Sequence, residues 1–291
     1  MQRWAYVDGT VLPIEDAKVN VEDRGLQFGD GVYEVIRLYQ GVPFTFDRHL
    51  ARLQRSAAKI RIDFPNLIET AKQVADALIQ KSGEIDGALY FQVTRGTAPR
   101  NHPFPIPAVS PRLIATLSPL PALTQEQRWS GIAAIVLADE RWLHCDIKAT
   151  DLLPNILARQ AAIEQGAEEA ILARDFRIVT EGASSNVFIV QSGVLRTHPD
   201  GPFILPGITK EVTLECAASL GLQVDQRPFT VEELRAADEI FITNTTHEIC
   251  PVTQLDGVVV GNGTAGPITR QLQEVFLSRC QQEVSLLSQH A

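Results

Sequence analysis

The chain has 291 residues, enough for two domains or one large domain, and its 45% of hydrophobic residues can build a substantial core. Its net charge of −9, without a basic block, argues against nucleic-acid binding. The four cysteines lie far apart and form no Cys-x-x-Cys pair, so we expect neither a metal site nor a disulfide framework. The N-terminal residues lack a signal-peptide apolar core, and the longest clean apolar run, Ile132–Ala138, is too short to span a membrane. We therefore expect a cytoplasmic protein with reduced thiols and no membrane contact.

Residues 1–118 predict a small α/β domain. Asp47 is predicted to be the N-cap of a helix that runs to about Ile60, with an apolar stripe on one face. On another face of this helix Arg52 belongs to a basic stripe, which periodicity alone assigns to solvent. A second helix is predicted from about Pro65 to Lys81. Strands are predicted from apolar, β-rich runs and turn residues over 3–7, 34–39, 42–46, 87–95 and 112–117.

Prolines mark residues 119–126 as an interdomain linker. The remaining residues, 127–291, predict a larger C-terminal domain in which strands alternate with helices. One helix is predicted over Pro154–Gln165, with proline near its start and glycine just past its end. Two further helices are predicted, one after Gly207 and one from about Pro267.

Lys148 differs in its surroundings from other lysines among the six in the sequence. It follows the strand-like run Ile132–Ala138 and has bulky apolar and aromatic residues just upstream. Three other lysines fall on polar faces or at the ends of predicted helices: Lys59, Lys72 and Lys81. A lysine amine that loses solvation can act as a nucleophile or a base. By itself the position also fits a surface lysine on a loop, which is the commoner case.

A loop rich in proline and glycine, residues 95–105, carries Arg100 and His102 two residues apart. A guanidinium and an imidazole at this spacing can bind one carboxylate. Spacing alone fits a surface loop with chance basic residues at least as well.

Three polar segments of the second half have the composition of a ligand-binding wall. Glu181 ends a predicted strand and is followed by small hydroxyl and amide residues, among them Ser185 and Asn186. Gly207 precedes a predicted helix, whose first backbone N–H groups can bind a phosphate. Residues 243–246 are rich in hydroxyls at the end of another predicted strand. Each segment taken alone is also explained as an ordinary polar turn or helix start.

Together, these features match the needs of pyridoxal phosphate. An amine can condense with its aldehyde, and a carboxylate can keep its pyridine nitrogen protonated so that the ring takes up electrons. An arginine, hydroxyl groups and a helix N-terminus can hold its phosphate. No metal is needed for this chemistry, and none is expected.

Longer motifs carry a resemblance to one family. They are Glu22–Gly25, Gln27–Val35, Tyr90–Thr97, Pro99–Arg100 with His102, Arg141–Leu143, Cys145–Lys148, Val179–Gly182, Ser184–Phe188, Thr197–Pro199 and Gly207–Thr209. Spread over nearly the whole chain, they resemble the fold-type IV pyridoxal-phosphate enzymes and, among them, the D-amino acid aminotransferases. The resemblance implies a mixed α/β enzyme of two domains, with a small N-terminal α/β domain and a larger C-terminal domain built on a β-barrel-like core with helices.

The resemblance also implies roles for individual residues. Lys148 would form a Schiff base with pyridoxal 5'-phosphate and carry the proton during catalysis, and Glu181 would pair with the pyridine nitrogen. The other implied cofactor-binding residues are Arg52, Ser185, Asn186, Ile208, Thr209, Asn244 and Thr245. Tyr33, Arg100 and His102 would bind the substrate α-carboxylate. In the family the last two reach in from the partner subunit, so a homodimer is implied.

The implied reaction is a ping-pong transamination through Lys148. It joins D-amino acids of the D-alanine, D-glutamate and D-aspartate type with 2-oxo acids such as 2-oxoglutarate or pyruvate. A branched-chain L-amino acid aminotransferase or an aminodeoxychorismate lyase of the same fold is the alternative, against which the pair Arg100 and His102 argues. Two alternatives of another class are a protein that binds the cofactor without turnover and a plain scaffold protein. The first would have no use for Lys148, and the second would bind no cofactor and would therefore be colourless.

Three positions depart from the family pattern. Asn244 stands where the family usually has serine, Pro206 replaces a more usual basic residue, and His144 replaces an arginine. These changes leave cofactor binding intact and bear on side-chain preference.

Overall fold

The computed structural model describes residues 3–288, so the first two and last three residues of the predicted domains lie outside it. The chain forms two compact units, one of residues 3–122, 147–151 and 283–288 and one of residues 123–146 and 152–282. The segment Ile147–Asp151, which carries Lys148, packs with the first unit although it lies within the predicted C-terminal range. The predicted division at residues 118 and 126 stays a prediction.

Six strands form the antiparallel sheet of the first unit: β1 (Trp4–Val7), β2 (Thr10–Pro13), β3 (Gly31–Tyr39), β4 (Val42–Pro43), β5 (Gly87–Thr94) and β6 (Arg112–Pro119). Their order across the sheet is β2-β1-β6-β5-β3-β4. Successive side chains of a strand point to opposite faces, and in β3 every even-numbered residue from Val32 to Leu38 is buried. This face of the sheet therefore forms one side of the core.

Three α-helices lie wholly within the first unit: α1 (Arg24–Phe28), α2 (Phe46–Lys59) and α3 (Leu67–Ser82). Leu50, Leu53 and Leu78 from α2 and α3 pack in the core with the buried side of β3. The predicted N-cap, Asp47, is wrong by two residues, because Phe46 packs against the core as the first helical residue and Thr45 is the cap.

Nine strands form the sheet of the second unit: β7 (Ile132–Ala138), β8 (Glu169–Arg174), β9 (Ile178–Gly182), β10 (Asn186–Gln191), β11 (Val194–Thr197), β12 (Val224–Asp225), β13 (Glu239–Asn244), β14 (Glu248–Leu255) and β15 (Val258–Val259). The order is β12-β11-β10-β13-β14-β7-β8-β9, with β15 paired to β14. Although β9 lies at the far end of this order, a three-residue turn leads from it directly into β10. The sheet is therefore curled, and the predicted mixed α/β fold with a β-barrel-like core is confirmed.

Five further α-helices lie in the described part of the chain: α4 (Gln125–Ser130), α5 (Leu153–Glu164), α6 (Ile208–Ser219), α7 (Val231–Arg235) and α8 (Pro267–Ser288). The short helices α4 and α7 each begin with a capping box, formed by Thr124 with Gln127 and by Thr230 with Glu233. Within residues 3–288, no helix combines the length and the hydropathy that a membrane crossing needs.

Candidate active site

Lys148 lies beside strand β3 in the first unit. Its carbonyl oxygen accepts a hydrogen bond from the Tyr33 N–H at 2.9 Å, and its own N–H donates to the Ser56 hydroxyl at 3.3 Å. Its amine nitrogen lies 4.3 Å from the centre of the Tyr33 ring, whose face attracts a cation. The preceding residue, Ile147, packs against the core of the unit. The lysine is therefore held at both sides of its backbone, with its amine against an aromatic ring.

A buried charged triad, which the sequence did not reveal, lies in the same unit. Arg52 donates from Nε and Nη2 to the two carboxylate oxygens of Glu34, at 2.6 and 2.9 Å. His49 Nδ1 lies 2.8 Å from the same carboxylate. Burial acts to raise the pKa of Glu34, but the Arg52 guanidinium, together with the hydrogen bond from His49, outweighs it and holds that pKa well below its usual range. Periodicity thus misplaced Arg52, which is 3% exposed.

Burial has the opposite effect on the histidine of this triad. It lowers the pKa of His49, although the Glu34 carboxylate acts to raise it, and nearby Arg52 and Lys148 lower it further. We therefore expect a neutral His49 at pH 7 that holds Glu34 by a hydrogen bond. The available signal was the position of Glu34 among the core-facing residues of β3, where a carboxylate needs a partner.

The loop that follows β5 brings Arg100 and His102 together. The Arg100 guanidinium lies 4.5 Å from the centre of the Phe28 ring, and the His102 ring centre lies 5.5 Å from the same point. Arg100 also donates to the Gln27 carbonyl at 3.4 Å. Both basic side chains are exposed. Tyr33, the third residue predicted to bind the substrate carboxylate, lies instead beside Lys148.

Tyr33 has a second aromatic neighbour on the adjoining strand. Its ring centre is 5.8 Å from that of Tyr90, whose hydroxyl donates to Gln92 at 2.7 Å. Burial, together with Tyr33, raises the pKa of Tyr90 to about 12. Tyr90 therefore stays protonated at neutral pH and is a hydrogen-bond donor beside Tyr33.

Glu181 is a buried carboxylate at the end of β9 in the second unit, 5% exposed. Its Oε2 accepts hydrogen bonds from the Asn186 side chain and from the Leu205 N–H, both at 3.0 Å, and its Oε1 accepts one from Arg141. Burial raises the pKa of Glu181, while Arg141 and the Leu205 N–H act in the opposite direction. These donors fix the carboxylate, which is the arrangement that a protonated pyridine nitrogen needs as its partner.

Arg141 links Glu181 to a second buried carboxylate, Asp139. It donates from Nε and Nη2 to both oxygens of Asp139 at 2.9 Å, and the Thr180 hydroxyl donates to Asp139 at 2.7 Å. Burial acts to raise the pKa of Asp139, but Arg141 outweighs it, so that pKa lies below its ordinary value. Sequence reasoning placed Arg141 in a motif without a role and missed Asp139.

The start of α6 has the features of a phosphate site. Gly207 is the N-cap and supplies no side-chain hydrogen bond, and the first-turn N–H groups of Ile208 and Thr209 have no acceptor within a helix. A Cβ at Gly207 would lie 2.0 Å from the Asn186 side-chain oxygen, so only glycine allows this approach. Thr243 pairs with Asn186 across β10 and β13, and its buried hydroxyl has no hydrogen-bond partner within the described part of the chain.

The hydroxyls of Ser184 and Ser185 both donate to one buried carboxylate. Their oxygens lie 3.1 and 2.9 Å from Oε2 of Glu169, which is fully buried. A Cβ at Gly182 would lie 2.1 Å from the Ser185 hydroxyl oxygen. Glu169, which sequence reasoning did not single out, therefore orients the turn between β9 and β10. A cofactor contact of Ser185 stays a prediction.

Asn244 closes the turn that carries Thr245. Its side-chain oxygen accepts the N–H groups of Thr246 and His247, at 3.0 and 2.7 Å. Its side-chain nitrogen donates to the Ser184 carbonyl at 3.4 Å, which ties this turn to the turn between β9 and β10. The asparagine found where the family usually has serine therefore stabilises this turn by its side-chain hydrogen bonds.

Each unit contains residues of the kinds that pyridoxal phosphate needs. The first unit holds a lysine amine on an aromatic ring and an arginine fixed by Glu34, and the second holds a buried carboxylate with directed donors. The second unit also offers a glycine-led helix start and an unpaired buried hydroxyl, both suited to phosphate oxygens. Residues of these kinds define the class of pyridoxal-phosphate enzymes.

Comparisons with known proteins identify the family. The family model described as amino-transferase class IV matches residues 31–255. D-alanine aminotransferase of Bacillus licheniformis is 45% identical over 266 residues, which are 91% of this chain and 93% of that protein. D-alanine aminotransferase of Listeria innocua serovar 6a is 46% identical over 276 residues, 93% of this chain and 94% of that protein.

Solved structures agree with this assignment. The branched-chain amino acid aminotransferase from Escherichia coli has a TM-score of 0.87 at 30% identity, covering 95% of this chain and 94% of that chain. The branched-chain amino acid aminotransferase of T.th., solved with pyridoxamine 5'-phosphate, has a TM-score of 0.86 at 27% identity, covering 95% of this chain and 93% of that chain.

The chain belongs to the class IV aminotransferases. Members of this class depend on pyridoxal 5'-phosphate, so the protein is a transaminase that uses this cofactor. The bound cofactor supplies the electron sink that lets the substrate α-carbon lose its proton.

Proposed function

We propose that the protein transfers amino groups from D-amino acids to 2-oxo acids in a ping-pong cycle. D-alanine, D-glutamate and D-aspartate are the proposed donors, and 2-oxoglutarate or pyruvate is the acceptor. The observation that carries the proposal is the convergence of Arg100 and His102 on the Phe28 ring, which gathers two carboxylate-binding side chains. Identity of 45% to a curated D-alanine aminotransferase over 91% of the chain supports the choice of D-amino acids.

Lys148 is the proposed catalytic residue. Its amine would hold the cofactor covalently at its aldehyde carbon. When free, the same amine would take the proton from the substrate α-carbon as a general base and deliver it as a general acid to that cofactor carbon, not back to the α-carbon. Its position on the Tyr33 ring, with both sides of its backbone hydrogen-bonded, supports this role because it limits where the amine can reach.

The proposed cofactor contacts fall into two groups. Glu181 would pair with the pyridine nitrogen, and Asn186 would hold Glu181 in place. The phosphate would be bound by the second group: Arg52, Ile208, Thr209, Asn244 and Thr245. The first-turn N–H groups of α6 have no acceptor within a helix, and they support this assignment because a helix N-terminus favours an anion. Ser185 is a further proposed cofactor contact without an assigned group.

Tyr33, Arg100 and His102 are the proposed binding residues for the substrate α-carboxylate. Holding the carboxylate on one side decides which substituent of the α-carbon faces the Lys148 amine. Preference for the D form would therefore depend on the position of this loop more than on the lysine. The alternative of a branched-chain L-amino acid aminotransferase is not favoured, since the curated relatives at 41–46% identity are D-alanine aminotransferases.

We also propose a cytoplasmic homodimer in which Arg100 and His102 serve the partner's site. Helix α5 exposes apolar side chains one turn apart, with Leu153 at 65%, Ile156 at 59% and Leu157 at 61% exposure. A face of this kind favours burial against another surface. The four cysteines are all unbonded, as expected in a reducing compartment. Analytical ultracentrifugation across a concentration series tests the dimer.

Coupled assays test the proposed reaction, with 2-oxoglutarate as acceptor for D-alanine and D-aspartate and pyruvate as acceptor for D-glutamate, because D-glutamate and 2-oxoglutarate would exchange without net change. D-alanine, D-glutamate and D-aspartate should be turned over at least about a hundredfold faster, as kcat/KM, than L-alanine or the branched-chain L-amino acids. Faster turnover of L-leucine or L-valine than of D-alanine would establish the alternative instead. Repeated release of pyruvate from aminodeoxychorismate, beyond one equivalent per active site and without an amino acceptor, would point to a lyase.

A further inference from the structure

The loop that carries Arg100 and His102 is exposed, yet a buried arginine holds its backbone. We name residues 100–104 the carboxylate loop. Arg24, which is 3% exposed, donates from Nη1 to the Asn101 carbonyl at 2.5 Å and from Nη2 to the His102 carbonyl at 3.2 Å. A further contact of Nη1 reaches the Pro103 carbonyl at 3.4 Å. One guanidinium therefore gathers three consecutive carbonyl groups.

Asp30 fixes this guanidinium from its other side. Its carboxylate accepts from Arg24 Nε at 2.8 Å and from Arg95 at 2.8 and 2.9 Å. Burial acts to raise the pKa of Asp30, but the two guanidinium groups outweigh it, so that pKa lies below its ordinary value. Arg95 in turn donates to the carbonyls of Ile60 and Arg61, which connects the cluster to the end of α2.

Two aromatic rings hold the ends of the carboxylate loop. Phe28 contacts Arg24 at 4.8 Å, besides its contacts with Arg100 and His102. Phe104 lies against two arginines, Arg95 at 3.7 Å and Arg61 at 4.8 Å from its ring centre. The face of an aromatic ring attracts a guanidinium, so several such contacts together restrain a short loop.

We propose that Arg24, held by Asp30, is a positioning residue for the substrate carboxylate. It fixes the backbone of the carboxylate loop so that Arg100 and His102 present one binding pair. The proposal rests on the proposed function of those two residues. Ordering a flexible loop costs conformational entropy. Because Arg24 orders the carboxylate loop before the substrate binds, substrate binding does not have to offset that cost. A lysine could not replace it, because only a guanidinium presents several donors in a fixed plane.

Variants of Arg24 test the proposal. Arg24→Met removes the carbonyl contacts and the ion pair, and Arg24→Lys keeps a cation near Asp30 but loses the guanidinium fork. Both should raise the KM for D-alanine about tenfold or more, with kcat changed less than about threefold. The ratio of D-alanine to L-alanine turnover should fall, and hydrogen exchange over residues 100–104 should accelerate. The control Arg112→Met, which removes a surface pair with Asp8, should leave all three readouts unchanged.

Arg100→Ala separates this inference from the proposed function. If Arg100→Ala leaves the KM for D-alanine unchanged, the carboxylate assignment itself is wrong. If Arg100→Ala raises KM while a folded, yellow Arg24→Met protein keeps the original KM and exchange rates, only the positioning role is wrong. Equal losses of kcat and of cofactor absorbance in both Arg24 variants would show general damage to the fold. That result would also overturn the positioning role of Arg24. Should Arg24→Met not fold, Arg24→Lys decides between the same outcomes.

Discussion

Glu34 accepts hydrogen bonds from two nitrogens of Arg52, at 2.6 and 2.9 Å, although the two residues are 18 positions apart in sequence. Neither side chain has more than 4% exposure. Buried charges are stable only when they are paired and hydrogen-bonded, and His49 adds a third partner to this group. The guanidinium that we assign to the cofactor phosphate is therefore fixed from within the core of the first unit.

Removing the charge of Glu34 should destabilise the protein. Glu34→Gln leaves Arg52 buried beside a neutral amide, which we expect to lower the free energy of unfolding by about 3 kcal/mol at pH 7. Urea denaturation followed by circular dichroism measures this loss. The control Glu69→Gln, on the exposed side of α3, should change the free energy by less than about 0.5 kcal/mol. Equal stability of the two variants would contradict the stabilising role of the pair.

The stability difference between wild type and Glu34→Gln should depend on pH in one direction. The folded pKa of Glu34 lies below its unfolded value of about 4.3. The contribution of the pair is therefore complete above that value and is lost as the pH falls through the folded pKa. We expect the full difference near pH 7 and a shrinking one in strong acid, below the unfolded pKa of Glu34. A difference that does not shrink below about pH 4 would be incompatible with an ionised Glu34.

Glu181 should be required for turnover more than for cofactor retention. Glu181→Gln keeps the shape of the side chain but removes the charge that would hold the pyridine nitrogen protonated, so the ring accepts electrons less readily. We expect kcat to fall roughly a hundredfold or more, while absorbance still shows bound cofactor. Steady-state kinetics and spectra of the purified variant measure both. Glu232→Gln, at an exposed position of α7, is the control, and an unchanged kcat in Glu181→Gln would remove the pyridine assignment.

Lys148 should be indispensable for catalysis. Lys148→Ala removes both the covalent attachment and the proton carrier, so turnover should fall by roughly three orders of magnitude or more. Borohydride should irreversibly remove the visible band of the yellow wild type and leave the reduced cofactor covalently attached to Lys148. The same treatment of Lys148→Ala should leave no cofactor attached to the protein. Lys59→Ala, at an exposed position of α2, should behave as wild type. Undiminished turnover in Lys148→Ala would rule out the proposed mechanism.

The sequence predicted those parts of the fold and site that depend on local patterns. The helix after Gly207 and the strand that ends at Glu181 follow from turn residues and apolar runs, and both are present as α6 and β9. Two short helices were missed although their signals were local. The spacing of Thr124 with Gln127 and of Thr230 with Glu233 is that of a capping box.

Other parts of the site could not be predicted, because they depend on residues brought together by the fold. Arg52 has the periodicity of an exposed position, and only its contact with Glu34 explains its burial. Arg24 reaches the carbonyl of Asn101, 77 positions away, and no sequence pattern links the two. Asp139 follows an apolar strand as an ordinary polar residue would, yet it holds Arg141 by two hydrogen bonds.

The four cysteines should be unreactive in the folded protein. All four are buried and unbonded, and burial raises the pKa of Cys145 to about 11 and that of Cys250 to about 12. Only the thiolate reacts with a disulfide reagent, and a thiol of pKa near 11 is ionised to about one part in a thousand at pH 8. Titration with an aromatic disulfide should therefore detect four thiols in urea but no rapidly reacting thiol under native conditions. Rapid native labelling of Cys145 or Cys250 would mean that the surrounding segments open to solvent far more often than their packing implies.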